Sequence, residues 1–160
     1  MNNFKKGQQV IHCRDGLAVI IDETVMADKS YFIVHTVRGS GENIYVPQDR
    51  AEQIIRFVMD EKEANKLLDF IKTIELDFNP NTKQRRDAIK KRLLSGDVKD
   101  CAYLFKQLYF FNTLKDGSIK FGQLDIDMLS YASNNLLDEF AISFGKNRDE
   151  IEEFIYKKIS

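Results

Sequence analysis

Two hydrophobic periods divide the chain. Up to about residue 58, apolar positions come in short runs rich in β-branched residues, separated by turn signals. Val10 and Ile11 make the first run, closed by Asp15-Gly16. LAVIIDETV (17–25) follows, then MADKS as a turn, then YFIVHTV (31–37), the densest run of all. RGSGE (38–42) makes a second turn, with two glycines able to take positive φ. NIYVP (43–47) ends at Pro47, and QIIRFVM (53–59) supplies a short last strand. Five such strands in about fifty residues predict a small curled sheet or partial barrel. A core that small is marginal alone, so it leans on the rest of the chain or on a partner.

The period changes at Met59-Asp60. Ala64, Leu67, Leu68 and Ile71 fall at i, i+3, i+4 and i+7 behind Asp60, a good N-cap, which predicts a helix over EKEANKLLDFIKTIEL (61–76). Asn79-Pro80-Asn81 breaks the chain, and a second helix is expected from about Thr82 to Leu94. Gly96 then suits the C′ position and Asp97 the next N-cap. The third helix, VKDCAYLFKQLYFFNTL (98–114), is dense in aromatics and should form the centre of the helical core. A fourth spans about Gln123 to Phe144, and Asn147 caps a fifth that ends near Ile159. The predicted class is α+β: a small N-terminal β-barrel module over 1–58, then an all-α domain of about five helices over 59–160.

Composition narrows the function classes. Charged residues make up 31% and hydrophobic ones 43%, the balance of a folded globular protein and not of a disordered one. No run nears the roughly 18 apolar residues of a membrane span. MNNFKKGQQV carries no apolar stretch behind its lysines, so no signal peptide is expected and the cytoplasm is the expected location. Cys13 and Cys101 fall in different predicted domains, and His12 and His35 are the only histidines. We expect ordinary thiols, no disulfide and no metal site.

The net charge of −1 conceals an asymmetry. Thr82 to Arg92 reads TKQRRDAIKKR, six basic residues against one acidic, whereas Asp125 onward holds eight acidic against four basic. On a helical wheel Ile89 and Leu93 define an apolar edge. Lys83, Arg86 and Lys90 form a stripe on one side of it, with Arg85 and Arg92 on the other. Such a helix can pack by its apolar edge while aiming cations at a polyanion, and an open N-terminus would add phosphate-seeking N–H groups. The competing reading is a solvated helix whose cations pair with the acidic last third.

Enzyme constellations are lacking. The sequence has no G-x-x-x-x-G-K-[ST], G-x-G-x-x-G, G-x-S-x-G or H-E-x-x-H. Asp125 with Asp127, and Glu152 with Glu153, read as helix-surface acids. His12 and Cys13 are strand neighbours that point to opposite faces, which argues against a thiol–imidazole pair. Tyr103, Phe105, Tyr109, Phe110 and Phe111 read as core. No catalytic residue and no cofactor is expected.

Taken in order, FKKGQQVIHCRDGLAVI, YFIVHTV, IYVP and RRDAIKKRLLSGDV resemble the CarD/CdnL family of bacterial transcription regulators. The resemblance spans nearly the whole chain. It implies a Tudor-like N-terminal module, of the kind also found in transcription-repair coupling factors, that docks on the RNA polymerase β subunit by strand pairing at a sheet edge. The docking edge would be Ile44, Tyr45, Val46 and Pro47, with Tyr31 and Ile33 on the neighbouring strand. Many members carry arginine where Tyr45 stands, so aromatic packing would replace a salt bridge. The resemblance also implies a helical domain at the upstream edge of the promoter bubble. There basic residues hold the DNA backbone and a tryptophan wedges into the minor groove. Here Thr82 takes the tryptophan position, which leaves Phe78 as a candidate replacement. Arg85 is the carried-over DNA contact, and Lys83, Arg86 and Lys90 join it from the helical wheel. The expected function is stabilisation of the open promoter complex through backbone contacts by a monomer. The alternative is a protein-only adaptor that binds polymerase and recruits another protein without touching DNA.

Overall fold

Alternating apolar positions in the first third build a five-stranded antiparallel sheet in the order β4-β3-β2-β1-β5. The computed structural model describes residues 3–38 and 41–160, and the chain divides into two compact units, Met1–Met59 and Asp60–Ser160. The strands are β1 (Gln9–His12), β2 (Gly16–Met26), β3 (Lys29–Thr36), β4 (Asn43–Pro47) and β5 (Ile55–Phe57). Two β2–β3 turn residues, Ala27 and Asp28, both take positive φ, 49° and 63°. This left-handed pair matches the strand twist of a two-residue hairpin, and it is unusual in using no glycine. Gly39 and Ser40, in the predicted RGSGE turn, lie outside the described residues.

The core of this unit joins Phe4, Val10, Ala18, Ile20, Phe32, Val34, Val46, Ala51 and Ile55, all buried. β4 and β5 are the two free edges of the sheet. Between Pro47 and β5 the chain makes a 3-10 turn (Gln48–Arg50) and a four-residue helix, α1 (Ala51–Ile54). That turn was expected to be strand from Gln53 onward. It is helical because Ala51 is 1% exposed and packs into the core with Ile54 against it, while α1 touches both edge strands. The small barrel is thus closed by a helix instead of a further strand pairing.

In the second unit, α2 is Glu61–Thr73, α3 Thr82–Leu94, α4 Val98–Thr113, α5 Gln123–Ser143 and α6 Arg148–Ile159. Asp60, Asp97 and Asn147 cap their helices as their sequence positions suggest. α2 stops earlier than its apolar pattern: Ile74 is extended. Gln107 of α4 explains the stop, since its amide donates to the Glu75 carbonyl (3.0 Å) and accepts from the Asp77 N–H (3.0 Å). Those bonds hold 74–77 as an extended strap. α4 packs on α5 across a core that includes Ile89, Leu104, Leu129 and Ala132. Of the α4 aromatics only Phe105 is fully buried; Tyr103, Tyr109, Phe110 and Phe111 are half-buried. Lys106 is buried too, and its ammonium donates to the Ile71 carbonyl at the end of α2 (2.9 Å). Burial holds its pKa below the ordinary lysine value.

Candidate nucleic-acid interface

The basic helix α3 starts behind a neat cap. The Asn81 side chain accepts from the Gln84 N–H (3.0 Å), and the Asn81 N–H donates to the Asn79 side chain (2.9 Å). The predicted open N-terminus is therefore partly closed. Only the Thr82 and Lys83 N–H groups have no partner among the described residues. Thr82, Lys83, Lys90 and Lys91 are exposed.

The arginines divide into two classes. Arg85 is 7% exposed, and its guanidinium is fully engaged. Nε (3.1 Å) and Nη2 (2.9 Å) both donate to one oxygen of Asp125 on α5, and Nη1 donates to the Asn79 carbonyl (3.0 Å). Its carbon also lies 5.2 Å from the centre of the Phe78 ring. Arg85 as a DNA contact does not fit this environment: the side chain points inward because position 85 lies four before Ile89 on the apolar edge. Asp125, expected as a surface acid, is 0% exposed. It is the organising group of the α3–α5 contact, and it also accepts the Gly122 N–H at the start of α5 (2.9 Å). Arg92 is likewise spent. It pairs with Asp100 (2.7 Å) and lies 3.7 Å over the ring of Tyr103, whose hydroxyl donates to Asp77. Together with burial, that bond raises the Tyr103 pKa far above the usual phenol range. Arg86 differs from both in its bonding: its side chain is as exposed as that of Arg92, at 38%, but its Nε lies 3.5 Å from the second Asp125 oxygen and makes no hydrogen bond among the described residues.

Phe78, the candidate replacement wedge, is half-buried and packs edge-to-face on Phe121 at 5.6 Å, with Arg85 beside it. It is built into the fold and does not stand free. The exposed cations on α3 are thus Lys83, Lys90 and Lys91, with half-buried Arg86 beside them and exposed Thr82 at the head of the helix.

The sheet edge holds the second candidate set. Register pairs Tyr31 with Pro47, Ile33 with Tyr45 and Phe32 with Val46. Cross-strand partners share a face. Tyr45 (48% exposed), Ile33, Tyr31 and Pro47 therefore lie together on the outer face, and Val46 (0%) and half-buried Ile44 point into the core. The outer four make a small aromatic and apolar patch beside the unpaired main chain of β4. Val46 is part of the platform, not of the patch.

His12 caps the β1–β2 turn. Its Nδ1 lies within reach of the Arg14 (3.3 Å) and Asp15 (3.2 Å) backbone N–H groups. Desolvation lowers its pKa, with Asp15 opposing and Arg14 assisting. Among the described residues no three His, Cys, Asp or Glu side chains converge as a metal site would require. No helix among them is long and apolar enough to cross a membrane.

A family model described as the CarD C-terminal domain matches residues 66–156, from within α2 to within α6. That is more than half of the chain. The chain belongs to the CarD family. It is a CarD-like, transcription-associated protein, and α3 with its exposed cations lies inside the matched CarD segment. The β unit lies outside that segment, so its own geometry carries the argument there. Among curated proteins, none matches the chain. The Asp125 contact went unrecognised in the sequence, although one signal was present: an acid three residues into a helix, behind a glycine, is placed to cap it.

Proposed function

We propose that this CarD-family chain docks on the RNA polymerase β subunit through the β4 edge and steadies the open promoter complex through the DNA backbone. Docking adds a strand to the sheet: the β4 main chain supplies hydrogen bonds, and Tyr45, Ile33, Tyr31 and Pro47 supply side-chain contact. Lys83, Arg86 and Lys90 face the phosphates near the upstream bubble edge, with Lys91 adjoining and Thr82 at the minor groove. The observation that carries the reading is the presentation of these cations on one helix of the CarD-matched unit. With no apolar wedge, binding rests on charge. Discrimination between open and closed DNA is therefore weaker than in tryptophan-bearing members, since a ligand shifts an equilibrium only by its differential affinity. The work is cytoplasmic, the protein acts as a monomer, and no chemistry is catalysed.

Salt titration of binding to fork-junction DNA tests the charge claim. Three or four phosphate contacts give a log–log slope of about −3. A flat salt response, or no loss of binding in the Lys83→Glu/Lys90→Glu variant, refutes it. A second reading is favoured by one observation: Arg85 and Arg92 are occupied within the fold, which shrinks the cationic surface. In that reading the helical unit recruits a protein and leaves DNA alone, and the same titration decides between the two.

A further inference from the structure

Buried carboxylates rarely keep an oxygen without a hydrogen bond. Asp125 does. One oxygen takes three bonds, two from Arg85 and one from the Gly122 N–H, while the other has no hydrogen-bond partner among the described residues. What faces that second oxygen is the equally unbonded Nε of Arg86, at 3.5 Å. The attraction is electrostatic, and it grips the inner end of the guanidinium. The two arginines carry one charge more than the carboxylate: Arg85, with two donors on one Asp125 oxygen, already neutralises it, so the Arg86 charge is not cancelled. Arg86 also lies over Gly122, the residue that precedes α5. A Cβ at Gly122 would stand 3.0 Å from Arg86 Nη2.

We propose that Asp125 is a positioning residue that holds Arg86 as a preorganised phosphate fork, and that Gly122 keeps open the space this fork occupies. The proposal rests on the DNA-backbone reading and names its most organised contact. An arginine free in solvent must freeze several torsions to grip a phosphate, whereas one anchored at Nε loses less entropy on binding. The seat lies at the N-terminus of the 21-residue α5, whose macrodipole adds favourable potential for an anion. Nearby Asp87 and Asp127 are exposed, so solvent screens their opposition. Lys83 and Lys90 are contacts of another kind, flexible point charges without an anchor.

The test uses the full chain and a fluorescently labelled fork-junction duplex, titrated at several salt concentrations. Gly122 has φ −78°, a conformation open to alanine, so Gly122→Ala pushes the Arg86 tip aside by a few tenths of an ångström while meeting Asp125 Oδ2 only at van der Waals distance, 3.7 Å. We expect Arg86→Gln to weaken binding by about tenfold at low salt and to reduce the salt slope by about one. Gly122→Ala is expected to act in the same direction with an unchanged melting temperature, and to add nothing in the Arg86→Gln background. Asp125→Asn, measured below its melting temperature, should likewise weaken binding only when Arg86 is present. Wild-type affinity and slope in Gly122→Ala, or additive losses in the double variant, overturn the proposal while leaving the DNA reading intact. Failure of the wild-type chain to bind the duplex removes that reading and the proposal together.

Discussion

Replacing Arg85 with alanine separates a structural arginine from a DNA contact. The substitution removes two hydrogen bonds to Asp125 and one to the Asn79 carbonyl, and it strips the guanidinium from the Phe78 ring. Asp125 is 0% exposed, so it cannot rehydrate in place. Losing one partner of a buried pair costs about 3–5 kcal/mol. Two features moderate this: the Gly122 N–H still donates to the carboxylate, and Arg86 Nε at 3.5 Å can move in. We therefore expect about 3 kcal/mol, a large share of the roughly 5–15 kcal/mol available to an ordinary domain. Urea denaturation followed by helical circular dichroism reads it directly. Arg85→Met combined with Asp125→Leu should recover most of the loss, because removing both charges leaves neither stranded. A loss below about 1 kcal/mol for Arg85→Ala, the range of an exposed ion pair, would refute the buried-pair account.

Other predictions follow from the β unit. His12 has a folded pKa below its ordinary 6.5, so the unfolded chain takes up the proton first. Its contribution is complete above about pH 6.5 and is lost as pH falls through the window toward the folded value. His12→Asn should flatten this part of the stability–pH curve, and an identical slope in variant and wild type would contradict it. Tyr45→Ala should leave the melting temperature unchanged and lower capture of the polymerase β subunit in a pull-down. Val46→Ala should instead cost about 2 kcal/mol in denaturant, because it opens a cavity beneath β4. Asp28→Gly should stabilise by about 0.5–1 kcal/mol, since φ is +63° there and glycine takes that conformation freely; a destabilised variant would show that the Asp28 side chain matters more than its strain.

Most of the architecture was legible because local signals and tertiary packing agreed. The switch from short β-branched runs to a 3.6-residue period, and the caps at Asp60, Asp97 and Asn147, mark elements that the fold retains. α1 was missed because four residues are too few to show a period. Its helical turn follows from the burial of Ala51 between two sheet edges. The end of α2 was missed because Gln107, more than thirty residues away, ties the following strap. For the candidate site the limit is sharper. A charge run states how many cations a helix has, not which of them are committed. Arg85 and Arg86 are adjacent, yet 100° of helical rotation buries one and leaves the other half-exposed. The carboxylate that sorts them lies forty residues downstream. One clue was local: Arg85, Ile89 and Leu93 share an i, i+4, i+8 edge, so Arg85 belonged with the core. Alternation along NIYVP likewise placed Tyr45 outward and Val46 inward once β4 paired with β3.

The central claim is that docking and backbone contact together prolong the open promoter complex. Its most direct measurement is the lifetime of heparin-challenged open complexes formed by purified cognate polymerase, with and without the protein. The account predicts a longer lifetime with the wild-type chain, a lifetime near the protein-free value with Tyr45→Ala or with Lys83→Glu/Lys90→Glu, and an effect that fades as salt rises. An unchanged lifetime at saturating wild-type protein would contradict it.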